Sequence, residues 1–234
     1  MLKLAAAPPN FLPDITYFYK MSQCNTFVIA DDIHFNTKTD ITRTKIKSAT
    51  GKQWLTVPVI TKGMGKQTIK DVRISYNSDP GWAKRHLKTI QVNYNYSPYF
   101  EYYVDHFTQI YQKEWRFLLD FNLAFITLIR EALRIETPIE FSSPLNSSVE
   151  KSEKIIEIVK YYKHTTYYTN VQDSVFLEAK KFDNANIGLA YFTNHPPIYR
   201  QLFGEYIEGL SILDLLFNEG PEAKWLLLEG NNLK

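Results

Sequence analysis

The sequence predicts an α/β fold: a layered mixed sheet with an opening β-α-β unit, a β-hairpin and a helical central segment at about residues 80–135. Three patterns support this class. The continuous apolar run at residues 27–30 is typical of a strand buried on both faces of a sheet. Side chains at residues 43–60 alternate between two faces on either side of a turn, which is typical of a β-hairpin. From residue 80 onward apolar positions recur with the period of a helix. Strands that alternate with helices indicate a layered α/β fold, and without a linker or repeat we expect a single domain over residues 1–234.

The first thirty residues predict a strand, a helix and a second strand. Residues 2–7 form the first strand, which ends at Pro8-Pro9. Pro13 begins a helix that extends to about Met21. The apolar run at residues 27–30 is the second strand.

A β-hairpin follows the opening unit. Arg43, Lys45 and Lys47 fall on one face of its first strand because side chains alternate at period two. Residues 49–52 supply the turn, and residues 54–60 form the second strand, in which Pro58 indicates an edge or an end of pairing. Residues 72–75 predict a further short strand.

The central segment is helical, and alternating elements return after it. Aromatic and apolar side chains recur every four residues from Trp82 to Tyr94, which predicts a first helix. A second helix follows Pro98, and a long third helix spans about residues 114–134. Beyond these helices we predict a strand at 139–141, a helix that opens with the capping box Ser147-x-x-Glu150, strands at 165–169 and 187–192 with a helix between them, and helical structure from residue 210 onward.

The composition excludes several classes of protein. The single cysteine, Cys24, excludes an internal disulfide framework and leaves too few thiols for a structural zinc site. The apolar runs are shorter than the ~20 residues of a membrane-spanning helix. The apolar stretch after Lys3 is also shorter than that of a signal peptide. We therefore expect a cytoplasmic protein.

The net charge of +2 conceals two opposed halves. Residues 1–100 carry 14 basic and 6 acidic side chains, a balance of +8, and residues 101–234 carry 13 and 19, a balance of −6. A positive field favours an anionic small-molecule ligand, although such a run can equally be a solvated face. The pI of about 8.4 is modest for a broad nucleic-acid surface.

Two groups in the basic half have candidate chemistry. Asp31 and Asp32 follow a buried strand, and ligands of open α/β sheets lie beyond the carboxyl ends of strands. The pair could orient a hydroxyl group, an amine or a metal ion, or simply cap a helix. Arg43 and Lys45 could contact phosphate, with Arg43 as a bidentate clamp, or could form an exposed strand face.

Elsewhere the signals are individual residues. His86 shares a helix face with Trp82, and it is either a packed core residue or a general base, a role for which His195 competes. Asp214 and Asn218 lie one turn apart on an apolar helix, so they either join a polar network or line a site. No metal-ligand spacing, nucleophile elbow or glycine-rich cofactor loop is present, and no cofactor is indicated.

The order and spacing of several segments resemble those of the WbqC-like family along the whole chain. The resemblance extends from Pro9-Asn10-Phe11-Leu12-Pro13 to Gly220-Pro221. The most specific matching segments are Tyr17-Phe18-x-Lys20, Phe27-Val28-Ile29-x-Asp31-Asp32, Trp54-Leu55-Thr56-Val57-Pro58-Val59, Trp82-x-x-x-His86, Tyr94-x-x-x-Pro98-Tyr99-Phe100 and the run from Tyr199-x-Gln201 through residues 210–218.

The resemblance implies a role in surface polysaccharide biosynthesis of the O-antigen type, because members tend to be associated with such clusters. A glycine (aminoacyl) transfer onto a sugar is suggested for some, so we expect a transferase that acts on a nucleotide-linked amino sugar. Such a reaction needs a base for the amine and charge stabilisation for the tetrahedral oxyanion. The predicted catalytic residues are His86 and Asp32, and the predicted substrate-binding residues are Asn10, Tyr17, Asp31, Arg43, Lys45, Gln201, Asp214 and Asn218.

The chain also departs from the usual pattern of this family. Pro8, Asp14 and Thr16 stand where Gln, Trp and Gly are usual, and Thr169-Asn170 replaces a Ser-Gly loop. His34 replaces the usual Gln after the Asp-Asp pair, and Thr42 replaces the usual Asn beside Arg43. These positions follow strands, where binding residues usually lie, so they bear on substrate identity. Two alternatives to the transferase stay open: a non-catalytic nucleotide-sugar-binding or scaffold protein, and an RNA-related role with aminoacyl-tRNA as donor.

Overall fold

The computed structural model describes residues 1–37, 39–149, 151–193 and 195–229, and within them strands alternate with helices. The predicted α/β class is confirmed. In chain order the elements are β1 (Lys3–Ala7), α1 (Ile15–Ser22), β2 (Thr26–Ile29), β3 (Arg43–Ser48), β4 (Gly51–Thr56), α2 (Trp82–Tyr94), α3 (Phe100–Gln112), α4 (Leu118–Ala132), β5 (Ile139–Phe141), α5 (Lys151–Tyr161), β6 (Thr166–Asn170), α6 (Val171–Ser174), α7 (Ala179–Asn184), β7 (Gly188–Phe192), α8 (Ile212–Glu219) and α9 (Ala223–Glu229).

The main sheet has five parallel strands in the order β5-β2-β1-β6-β7. The chain first builds outward from β1 through β2 to β5, then returns to the other side of β1 for β6 and β7. The opening β-α-β unit is confirmed, since β1 and β2 pair in parallel and α1 connects them. The predicted antiparallel pair forms a separate two-stranded sheet of β3 and β4.

The strand order reverses between β1 and β6, and here the sheet is split. Pairing between these two strands is limited to Lys3 with Thr166 and Leu4 with Tyr167. On the outer sides pairing continues to the strand ends, from β1 to β2 as far as Ala7 and from β6 to β7 as far as Asn170. The carboxyl halves of β1 and β6 therefore diverge and leave a crevice inside the sheet.

Both faces of the sheet are covered, which explains the continuous apolar run in β2. On one face, α1, α4 and α8 contribute to a large hydrophobic cluster that includes Phe27 and Ile29. On the other face, α5 and α7 contribute to a smaller cluster that includes Val28. Because alternate side chains of β2 enter different clusters, Phe27, Val28 and Ile29 are all buried and apolar.

The hairpin is tighter than predicted. Ser48 pairs with Gly51, so the turn takes only two residues, and Gly51 adopts a φ of 111° that favours glycine. The second strand accordingly begins at Gly51 and ends at Thr56, before Pro58, which has no backbone N–H to continue the ladder. Residues 72–75 form isolated bridges through Arg73 and Ile74, and the strand predicted there is wrong.

The remaining elements agree with the predicted order, with local differences. The central helices α2, α3 and α4 lie within the predicted segment, and the single helix predicted between β6 and β7 is instead two short helices, α6 and α7. Glu150 of the predicted capping box and residues 230–234 lie outside the described residues. Across the described ranges, no helix combines the length and the apolar character that crossing a membrane requires.

Candidate functional site

A cavity of about 980 Å³ lies at the carboxyl edge of the sheet, where β1 and β6 diverge. Ala6 and Ala7 of β1 and Thr169 and Asn170 of β6 form its floor. The carboxyl edge at a reversal of strand order is the usual ligand-binding position in open α/β sheets. The volume is at the upper end of the range for small-molecule sites.

The loop after β1 forms one wall, and its shape is held by buried hydrogen bonds. Asn122 of α4 is completely buried, and its Nδ2 donates to the carbonyl oxygens of Pro9 at 2.7 Å and Ile41 at 2.8 Å. Thr44 Oγ1 donates to the carbonyl oxygen of Leu12 at 2.9 Å. Leu12 has a φ of 44°, a left-handed conformation that costs an L-residue about 1 kcal/mol. The fold therefore maintains a strained loop at the cavity wall.

The hairpin forms an adjoining wall and carries two of the predicted phosphate ligands. Arg43 Cζ lies 4.4 Å and Lys45 Nζ lies 4.8 Å from the centre of the Trp54 ring. Lys45 and Trp54 are directly paired across β3 and β4, and all three side chains line the cavity. Trp54 is 44% exposed, so the cations and the indole form one accessible surface. Cation–π contact holds the two positive side chains together despite their repulsion.

The third basic side chain of this strand has a different environment. Lys47 is only 1% exposed, and its Nζ donates to Gln201 Oε1 at 2.9 Å and to the carbonyl oxygen of Glu205. The segment around Gln201 therefore covers the end of β3. Burial lowers the pKa of Lys47, and the charge of Asp214 opposes this effect. Lys47 anchors the hairpin and does not line the cavity.

Gln201 and Asp214, predicted to bind substrate, belong to the same buried network. Both polar atoms of the Gln201 amide are occupied, because Oε1 also accepts from Ile207 N at 2.8 Å and Nε2 donates to Ile207 O at 3.0 Å. Asp214 accepts from Tyr94 at 3.0 Å and from Tyr199 at 2.8 Å. Burial raises the pKa of Asp214, whereas these two hydrogen bonds lower it. The amide and the carboxylate thus serve the fold.

Asn218 also has a structural position. Its Nδ2 donates to the Asp214 carbonyl oxygen at 2.7 Å, and its Oδ1 accepts from Ser97 at 3.2 Å. Of the two interpretations of the polar residues on this helix, the buried network is therefore the observed one. Neither Asn218 nor its network partners line the cavity.

Asp31 and Asp32 lie beyond β2, as predicted, but they point toward the segment that follows β5. Asp31 Oδ1 accepts from Ser143 N at 2.9 Å, and Ser142 Oγ donates to both carboxylates. Lys154, only 6% exposed, contacts Asp32 Oδ2 at 2.6 Å. The two carboxylates are engaged in joining β2 to the start of α5, and they are not part of the cavity wall.

His86 lies in an aromatic cluster of the core. Its ring stacks on Phe11 at 5.8 Å and meets Trp82 edge-on at 5.2 Å, and the residue is 7% exposed. Burial lowers the pKa of His86 to about 4, so the ring is neutral at physiological pH. Phe11 itself lines the cavity, but His86 lies behind it. The core interpretation of this helix face is the one that the structure favours.

Four of the predicted substrate-binding residues do line the cavity: Asn10, Tyr17, Arg43 and Lys45. The Tyr17 hydroxyl is buried and has no hydrogen-bond partner among the described residues. Burial raises the pKa of Tyr17 well above its usual value, so the phenol is neutral. Five of the positions that depart from the family pattern also line this cavity, namely Pro8, Asp14, Thr16, Thr169 and Asn170, whereas His34 and Thr42 do not.

The sequence prediction missed the other charged residues of the cavity. The lining has four basic and three acidic side chains: Lys20, Arg43, Lys45, Lys151, Asp14, Asp40 and Asp173. Lys20 stands in the matching segment Tyr17-Phe18-x-Lys20, where a lysine among apolar helix positions was the available signal. No group of three or more metal-ligating side chains occurs in the ranges that the structure describes. Burial also raises the pKa of the Cys24 thiol to about 12, which leaves it unreactive.

Comparison with known proteins agrees with the resemblance in the sequence. Residues 8–225 match the sequence model of the WbqC-like protein family. The uncharacterized protein Rv1507c of Mycobacterium tuberculosis is 30% identical over 225 residues, which cover 95% of this chain and 96% of that protein. No solved structure matches the chain significantly. By both its family match and its full-length relative, the chain belongs to the WbqC-like protein family.

Proposed function

We propose that the protein is a transferase of surface polysaccharide biosynthesis that binds a nucleotide-linked amino sugar in the cavity between β1 and β6. The observation that carries the proposal is the cationic wall, where Arg43 and Lys45 contact Trp54 inside the cavity of about 980 Å³. Two fixed cations suit the oxygens of a diphosphate, and an accessible indole suits a base or sugar ring.

The proposed reaction is transfer of an aminoacyl group to the amine of the sugar. The amine nitrogen attacks the acyl carbon of an activated aminoacyl ester or thioester, the N–C bond forms, and the bond to the leaving group breaks. The amine proton passes to a carboxylate, for which the cavity offers Asp14, Asp40 and Asp173, and from there to the departing oxygen or sulfur, which leaves as an alcohol or thiol. Asp32 and His86 are replaced in this role because Asp32 is paired with Lys154 and His86 is enclosed in the core.

Titration calorimetry with a panel of nucleoside diphosphate amino sugars tests the binding step. Because hydrogen bonds to charged groups contribute about 1.5–3 kcal/mol, Arg43→Ala and Lys45→Ala should each weaken binding by about 10- to 100-fold. Lys52→Ala removes the same charge from an exposed position of the same hairpin outside this cavity, and it should bind as the wild type does. If no member of the panel binds the wild-type protein, the proposal is refuted.

A non-catalytic nucleotide-sugar-binding or scaffold protein is the second candidate. It is favoured by the enclosure of both predicted catalytic residues outside the cavity. Mass spectrometry of glycan from a strain that carries Asp14→Asn, Asp40→Asn and Asp173→Asn separates the two functions. Loss of an acyl group from the glycan supports the transferase, whereas an unchanged glycan with retained ligand binding supports the binding protein.

A further inference from the structure

We infer that Lys20 forms an oxyanion subsite in the split of the sheet, separate from the cationic wall of the hairpin. The ligand group would be a phosphoryl or carboxylate group that enters the crevice between β1 and β6. This inference extends the proposed function, and it rests on that function only for the identity of the whole ligand.

The Lys20 ammonium group lies at the point where the sheet splits. Lys20 Nζ donates to the carbonyl oxygen of Ala6 at 2.9 Å and lies 5.7 Å from the centre of the Tyr167 ring. Ala6 belongs to the part of β1 that is no longer paired with β6, and Tyr167 is the last residue of β6 that pairs with β1. Lys20, Ala6 and Tyr167 all line the cavity. The ammonium group therefore lies where the two strands separate.

The three buried lysines in the described part of the chain differ in their partners. Lys154 forms an ion pair with Asp32 at 2.6 Å, and the Lys47 ammonium group donates to Gln201 Oε1 and to the carbonyl oxygen of Glu205. Lys20 is 7% exposed and forms no ion pair within the described ranges. An isolated buried cation is costly, so a fold normally pairs it.

The Lys20 ammonium group keeps hydrogen-bond donors that a ligand could use. An ammonium group has three donors, and Lys20 uses one of them on Ala6. Thr169 lies in the carboxyl half of β6, on the other side of the split, and also lines the cavity. A phosphoryl or carboxylate oxygen would accept from the remaining Lys20 donors and could accept from the Thr169 hydroxyl. The unpaired cation of the free protein would then be neutralised by the ligand.

Thermal unfolding with inorganic pyrophosphate or malonate at constant ionic strength tests the subsite. We expect at least one of these anions to raise the Tm of the wild-type protein, and the pair distinguishes phosphoryl from carboxylate binding. Lys20→Met should weaken the affinity for the anion about 10- to 100-fold, so a correspondingly higher anion concentration is needed for the same rise in Tm. Without anions its Tm should be equal or higher, because an unpaired buried charge is removed. Lys52→Met is the matched control and should respond as the wild type does.

Three results would overturn the inference. They are an equal response of Lys20→Met and the wild type, the absence of any response in the wild type, and a lower Tm of Lys20→Met with its anion response retained. If Lys20→Met does not fold, Lys20→Gln replaces it, because the glutamine amide can still donate to the Ala6 carbonyl oxygen. A rise in its Tm with the anion equal to that of the wild type would then overturn the inference.

Titration with nucleotide sugars separates this inference from the proposed function. An anion response that depends on Lys20, without nucleotide-sugar binding, supports the subsite and refutes the proposed function. Equal nucleotide-sugar binding by the wild type and Lys20→Met supports the proposed function and overturns the subsite.

Discussion

Acid should destabilise the protein through His86, because the fold encloses this ring in its neutral form. Burial among Phe11, Trp82 and Tyr111 lowers the pKa of His86 from 6.5 to about 4. Between these two values the unfolded chain binds a proton that the folded chain does not. The contribution of the neutral His86 ring to the free energy of unfolding is therefore fully present above pH 6.5, and it is lost as the pH falls toward 4.

The magnitude follows from the gap between the two pKa values. At pH values below both of them, the gap corresponds to roughly 3 kcal/mol of lost stability. Between pH 7.5 and pH 5.0, the same linkage gives a loss of about 2 kcal/mol. This loss is a substantial part of the ~5–15 kcal/mol that stabilises a typical domain.

Urea unfolding at the two pH values measures this effect, with each protein compared with itself. His86→Phe keeps an aromatic ring in the cluster but cannot titrate, so it should lose about 2 kcal/mol less than the wild type on acidification. His106→Gln removes an exposed histidine of α3, and it should lose as much stability between the two pH values as the wild type does. The reasoning is refuted if the wild type and His86→Phe lose the same stability.

Two further substitutions test the packing around the site and at the C-terminal helices. Asn122→Ala removes two hydrogen bonds to buried carbonyl oxygens and leaves a void, so urea unfolding should show a loss of about 2–3 kcal/mol. A loss below about 0.5 kcal/mol would contradict this account of the cavity wall. Gly220→Ala would place a Cβ 2.4 Å from the Tyr99 ring at a φ of 50°, and we expect a loss of about 3 kcal/mol or more. Gly204→Ala, with a φ of 64° and open space around it, should lose only about 1 kcal/mol, and equal losses would exclude the clash.

The hairpin illustrates what the sequence could and could not predict. Alternation placed Arg43, Lys45 and Lys47 on one face of a strand, and the strand is observed. Nothing in that pattern shows that the segment around Gln201, more than 150 residues away in the chain, covers Lys47 and leaves the other two open. Period two assigns side chains to a face, but it does not identify which part of the face a distant segment buries.

His86 and Lys20 show the same limit for helices. The spacing of residues placed His86 with Trp82 on one face of α2. A helix face that packs in the core, as this one does against Phe11, has the same period as a face that lines a cavity, so the sequence could not distinguish the two. Lys20 lies among the apolar positions of α1, where composition alone favours a core. Only the divergence of β1 from β6 gives its ammonium group a crevice to enter.

The cavity walls come from segments that are far apart along the chain: residues 6–20, Ile33, Asp40, the hairpin, the region 151–177, Phe192 and residues 209–211. Local structure such as the hairpin can form early, but contacts between distant segments must first overcome the entropy of closing long loops. The cavity is therefore a property of nearly the whole folded chain. A substitution that lowers stability far from the cavity will also lower apparent affinity in proportion to the folded fraction, so loss of binding in such a variant does not locate a residue in the site.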